Sequence, residues 1–188
     1  MSTKRDQIIE TTCQLMEMQG YHATGLNQIL AESGAPKGSL YYYFPEGKEE
    51  LAVEAIERSS SIIEQRIRMI MADVADPATA VINFITILAE QVAASGYQAG
   101  GPITAIALES ASTNDRLREA CRAAYQSWQD AFAEKLRQGN FSEARSRRLA
   151  ALIIASLAGG IILSRSQRST QPLLDMAEEV DLLLRLAA

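Results

Sequence analysis

Apolar side chains recur at helical spacing along most of the chain. In residues 4–19, Ile8, Ile9, Thr12, Leu15 and Met16 form one stripe. Gly20 follows the last periodic residue, where a C-terminal glycine cap belongs. A second short helix is predicted over 25–33, with Leu26, Ile29 and Leu30 inward and Thr24 at its N-cap. Gly34 breaks that pattern. Pro36 can open a third helix, because a first turn does not use the missing N–H. This helix spans Lys37–Tyr43 and stops before Pro45. A long helix begins near Lys48 and reaches about Met71, and Asp76-Pro77 marks the next break. Further helices fit 78–95, 102–112, 114–138, 142–168 and 172–186. No period-2 strand pattern appears. The predicted fold is all-α: a head of three short helices over residues 1–47, joined to a helical body over 48–188.

Composition agrees with a packed globular chain. Of 188 residues, 47 % are hydrophobic and 22 % are charged. The first ten residues, MSTKRDQIIE, lack the apolar run of a signal peptide. No apolar run approaches the about 18 residues of a membrane span. The longest candidate, Leu149 to Leu163, is interrupted by Ser156, Gly159 and Gly160 and reads as a buried helix. A cytoplasmic protein with no membrane association is expected. Cys13 and Cys121 both fall inside helical patterns and read as small buried thiols. His22 is the single histidine. It reads as a turn residue and leaves no multi-histidine metal site, so no cofactor or metal is expected.

Charge sets a constraint. The formal net charge is −5, and the first 48 residues carry four lysines and arginines against five carboxylates. Any surface for a polyanion must come from placement, not bulk charge.

Three short helices with a glycine turn before the third form a helix-turn-helix signature. The third helix of such a motif offers its N-terminal residues to base edges in the major groove. Lys37 stands there as a cation able to reach guanine or a phosphate. Gly38 lets the backbone approach closely, and Ser39 can hydrogen-bond a phosphate or a base edge. Tyr42 and Tyr43 can place hydroxyls on phosphates. Tyr41 divides between core packing and phosphate contact, whereas Leu40 and Phe44 read as core. Lys48 and Thr24 are expected to contact DNA beside helix N-termini. Lys4 and Arg5 read as a mobile arm.

The stretch Gly34-Ala35-Pro36-Lys37-Gly38-Ser39-Leu40-Tyr41-Tyr42-Tyr43-Phe44 closely resembles the DNA-binding head of the TetR family of repressors. Two departures stand out. Leu30 replaces a commoner alanine, and Pro45-Glu46-Gly47-Lys48 is one residue longer than the usual link. With the later stretch GYQAGGPITAIALES, both resemble the LmrA/YxaF-like branch. The resemblance implies a ligand-responsive repressor that binds a palindromic operator in double-stranded DNA as a homodimer. It also implies that a small hydrophobic or aromatic ligand binds the body and releases the DNA.

The body offers candidates for both roles. Ser156, Gly159, Gly160 and Leu163, with Leu174 and Val180 of the last helix, suit a four-helix interface between two subunits. Ordinary packing within one chain is the alternative. Phe84, Leu88, Tyr97, Ile106, Tyr125 and Trp128 are candidate ligand walls. Glu109 lies in an otherwise apolar stretch, where it can orient a ligand or pair with an arginine such as Arg116 or Arg118.

Two rival classes fit the sequence less well. An enzyme is disfavoured because the chain has no P-loop, GxGxxG, GxSxG or clustered metal ligands. A helical protein-interaction module without DNA binding leaves the tyrosine run after Lys37-Gly38-Ser39 without a purpose.

Overall fold

The computed structural model describes residues 3–186. Among them the elements are α1 (Lys4–Ala23), α2 (Leu26–Ser33), α3 (Lys37–Tyr43), α4 (Lys48–Ala72), α5 (Pro77–Ala94), α6 (Thr104–Ser110), α7 (Asp115–Gln138), α8 (Glu143–Gln167) and α9 (Gln171–Leu186). No strand occurs among the described residues. The all-α expectation therefore holds. The sixth helix is shorter than the predicted 102–112, because Ser110 and Thr113 already close a turn leading to Asn114.

The chain folds as two compact units. The first combines residues up to Ser61 with Gly101–Ala124; the second combines Ile62–Gly100 with Tyr125 onward.

The first unit is built on α1. Thr3 and Asp6 form a capping box: Thr3 Oγ1 accepts the Asp6 N–H at 3.1 Å, and the Asp6 carboxylate accepts the Thr3 N–H at 3.0 Å. The Thr3 hydroxyl also donates to that carboxylate at 2.7 Å, and this bond, with the one from the Thr3 N–H, holds the Asp6 carboxyl below its ordinary range. Arg5 pairs with Glu54 and lies 5.6 Å from the Phe44 ring centroid. The expected mobile arm is thus a capped helix start. Its apolar stripe meets α2, α3 and α4 in a core of Ile8, Ile9, Leu15, Ile29, Ala35, Leu40, Phe44 and Leu51. Each fully buried large side chain contributes roughly 1.5–3 kcal/mol. Gly20 adopts φ 82°, ψ 177°, which breaks α1 one turn before its end. Gly34, at φ 62°, makes the left-handed turn between α2 and α3.

The second unit packs α9 against α5 and α8. By length and composition, α5 and α8 are each long and apolar enough to cross a membrane, although neither is an unbroken apolar run. Here Val81 and Ile85 of α5, and Ile153 and Leu157 of α8, are buried as core positions. Phe84 stacks edge-on against Phe132 at 5.4 Å. Lys135 is only 6 % exposed; its ammonium donates to the Val74 carbonyl and to Gln138, which satisfies a charge that would be costly to bury alone.

Both cysteines are free thiols. Burial raises the thiol of Cys121 to about 11, and raises that of Cys13 as well. Burial thus disfavours the thiolate at both positions.

Candidate nucleic-acid interface

Helix α3 is anchored from below and open above. Leu40 is fully buried, and Phe44 just beyond the helix is buried with it. Pro36 precedes the helix, and its carbonyl accepts the Ser39 N–H at 2.9 Å. On the outer side Lys37 is exposed and makes no hydrogen bond or ion pair among the described residues. Tyr42 is 80 % exposed and Tyr41 55 %, which places Tyr41 with the surface residues. Tyr43 is half-buried. Its ring meets Tyr42 at 5.0 Å and Phe44 at 6.4 Å, so it braces the exposed tyrosine on the core. Ser39 is half-buried. A Cβ on Gly38 would meet nothing within 4 Å. A glycine inside a helix costs about 1 kcal/mol relative to alanine, and the chain's own packing does not require this one. The open space beside it suits a close external surface.

Two expected DNA contacts have partners within the chain. Thr24 is fully buried, and its hydroxyl donates to the Gly20 carbonyl at 2.7 Å. It closes α1, while Gly25 occupies the N-cap of α2. The cause is the break at Gly20, which turns a carbonyl toward the threonine. Lys48 is also occupied. Its ammonium sits 4.4 Å over the Tyr21 ring and donates to the His22 carbonyl at 3.5 Å. Partial burial lowers the Lys48 pKa, and the Glu109 carboxylate opposes that shift.

Glu109 pairs with neither arginine expected of it. Its Oε2 accepts the backbone N–H of His22 at 2.9 Å. Arg116 instead donates to Glu46 at 2.7 Å and to Glu49 at 3.2 Å, and Arg118 pairs with its neighbour Asp115. No spacing rule pairs Glu109 with His22, or Arg116 with Glu46 and Glu49, whereas Arg118 and Asp115 stand at ordinary i,i+3 helical spacing.

The remaining candidates separate by unit. In the first, Ile106 lines a small apolar niche with Cys13, Met16, Ile56 and Ile103. In the second, Phe84 is buried and meets Phe132 edge to face. Tyr125 and Trp128 meet edge to face at 5.3 Å, and Leu88 and Tyr97 are half-buried. Of the expected interface residues, Leu163 is 51 % exposed, and Ser156, Gly159 and Leu174 are half-buried. Gly160 and Val180 are buried inside their own chain. A Cβ on Gly160 would lie 2.8 Å from Leu173 Cδ2, so that glycine serves the contact of α8 with α9.

Comparisons with known proteins match this arrangement. Residues 8–55 match the family model described as bacterial regulatory proteins, tetR family. Residues 77–179 match the C-terminal domain of LmrA/YxaF-like transcriptional regulators. The chain is 42 % identical over 181 residues to the uncharacterized HTH-type transcriptional regulator YxaF of Bacillus subtilis (strain 168), covering 96 % of this chain and 95 % of that protein. It is 40 % identical to the HTH-type transcriptional regulator LmrA of the same strain, covering 96 % of each. A TetR transcriptional regulator from Chloroflexus aurantiacus J-10-FL superposes with a TM-score of 0.83 at 28 % identity, covering 97 % of this chain and 94 % of that one. An exposed Lys37 and Tyr42 on a core-anchored α3, inside a chain similar to these regulators along nearly its whole length, make this protein a helix-turn-helix transcriptional regulator of the TetR family, in its LmrA/YxaF-like branch.

Proposed function

We propose that the protein is a ligand-responsive repressor that binds an imperfect palindromic operator as a two-fold dimer. The observation that carries this reading is α3, where Lys37, Tyr41 and Tyr42 stand exposed on a helix fixed by Leu40 and Phe44. Lys37 reads a base edge or neutralises a phosphate, and the tyrosine hydroxyls set register on the backbone. Residues 1–47 act as the DNA-binding head.

Dimerisation uses the outward face of α8 with α9. Leu152, Leu163 and Leu182 are about half exposed, and Ser156 and Gly159 lie on the same face of α8 as Leu152 and Leu163. A two-fold dimer needs matching half-sites about one helical turn apart, or a multiple of that.

The inducer is a small hydrophobic or aromatic molecule. Leu88, Tyr97, Tyr125 and Trp128 are the wall residues this reading retains. An inducer that prefers the DNA-free protein must bind more weakly when operator is present, by the same factor as it weakens DNA binding. The test is to titrate aromatic compounds against Trp128 fluorescence with and without operator duplex. Lower affinity in the presence of operator is expected of the inducer. Equal affinity for every bound compound rejects induction and leaves a DNA-binding regulator.

A further inference from the structure

The chain enters the helix-turn-helix just after His22 and leaves it at the turn around Gly47. Both places are held by side chains from one corner, residues 109–116, where α6 ends and α7 begins.

On the entering side, the Glu109 carboxylate accepts the His22 N–H at 2.9 Å. It also fills the space beside the break in α1: a Cβ on Gly20 would lie 1.9 Å from Glu109 Oε1. The His22 carbonyl in turn receives the Lys48 ammonium, which rests on Tyr21. On the leaving side, Arg116 donates to Glu46 and Glu49. Asn114 donates its amide N–H to Glu49, while its Oδ1 accepts the Leu117 N–H at 2.9 Å and caps α7. The central apolar cluster of the head draws on residues from Ile8 to Leu51, and α6 packs on α1, where Ile106 shares an apolar niche with Cys13 and Met16. The corner adds polar bonds at the two ends of the helix-turn-helix to that apolar contact.

We propose that residues 109–116 form a clasp that presets the helix-turn-helix for DNA, with Glu109 as its principal positioning residue. This rests on the DNA-binding reading of α3. A head free to swing at both ends loses that freedom when it docks, and restraint beforehand removes the loss. The two grips differ in kind, although both are open to solvent. Glu109 makes a charge-assisted bond to a fixed backbone donor. The Arg116 pairs join side chains that are 51 % exposed for Arg116 and 60 % for Glu46, where solvent and salt weaken them. A displacement of this one corner would reach the helix-turn-helix at both of its ends.

The experiment uses the full chain as Glu109→Ala, Arg116→Ala, the double variant and Glu109→Gln. Hydrogen exchange without DNA reads the clasp alone. Glu109→Ala should speed exchange of the His22 amide, while Ile29 and Leu40 stay protected. Binding to the duplex that the parent protein selects from a random pool reads the consequence. Glu109→Ala should weaken binding about tenfold, within the range of ordinary coupling between sites. Arg116→Ala should weaken it by about threefold, as for an exposed ion pair. Glu109→Gln keeps an oxygen facing the His22 N–H and should recover most of the loss. Unchanged exchange at His22 in Glu109→Ala overturns the clasp. Exchange that rises while the double variant binds DNA as well as the parent, or better, overturns its role in presetting. If the parent selects no duplex at all, the DNA reading fails, and the exchange data still decide whether the corner holds the head.

Discussion

Helix α3 and the α8–α9 pair both leave large side chains uncovered, with opposite chemistry. On α3 the exposed groups are a lysine and two tyrosines, each ending in a polar atom that needs a partner in a wet interface. On α8 and α9 they are leucines and an isoleucine, Leu152, Ile162, Leu163 and Leu182, which gain only from a dry one. Their glycines divide along a different line. Gly38 and Gly159 face open space, whereas Gly160 is filled against Leu173. A small residue therefore has two uses in this chain. It admits a partner from outside, or it lets two helices of one chain meet.

The adjacent pair Gly159 and Gly160 turns that distinction into the largest expected effect. Gly160→Leu forces carbon atoms into Leu173 and Met176. Overpacking of this kind costs about 1–3 kcal/mol, or roughly 2–9 °C in melting temperature for a chain of this size. Thermal unfolding of the variant beside its parent checks this. An unchanged melting temperature would mean that α8 and α9 are packed more loosely than described here.

A smaller effect on stability, and a larger one on assembly, is expected at the outer face. Gly159→Leu meets no atom of its own chain, so the folded protomer should survive. Leu163→Glu places a carboxylate on the exposed apolar strip. Sedimentation at micromolar concentration should show a dimer for the parent and a shift toward monomer for both variants. Variants that sediment like a dimeric parent would move the interface elsewhere.

Helix positions were legible from apolar spacing, and α3 was read to its described ends because Pro36 and Pro45 bracket it. Leu40 and Phe44 as core followed from the same spacing. The misplaced residues share a physical cause. Thr24 stands before an apolar run, as an N-cap does, yet its hydroxyl turns back to the carbonyl freed by the break at Gly20. Lys48 begins a helix, but Tyr21 and His22 reach it through the fold. Glu109 stands in an apolar stretch where sequence suggests an arginine partner or a ligand, and the fold brings it a backbone N–H of α1 instead of an arginine. Gly160 was known to permit close approach, but spacing alone does not say whether the approaching helix belongs to the same chain. Local rules place elements. They do not place the partners that tertiary folding brings to an unpaired polar or small residue.

The central claim is that α3 binds DNA through its exposed side chains. It is tested most directly by comparing the parent with Lys37→Ala and Tyr42→Ala on one duplex selected by the parent, at two matched salt concentrations, with helical content measured in parallel. The account predicts unchanged helical content and weaker binding by both variants. For Lys37→Ala the loss is about 1–3 kcal/mol if the lysine reads a base. If it contacts a phosphate instead, the salt dependence becomes shallower by about one ion. Binding by both variants equal to the parent at both salt concentrations would contradict the account.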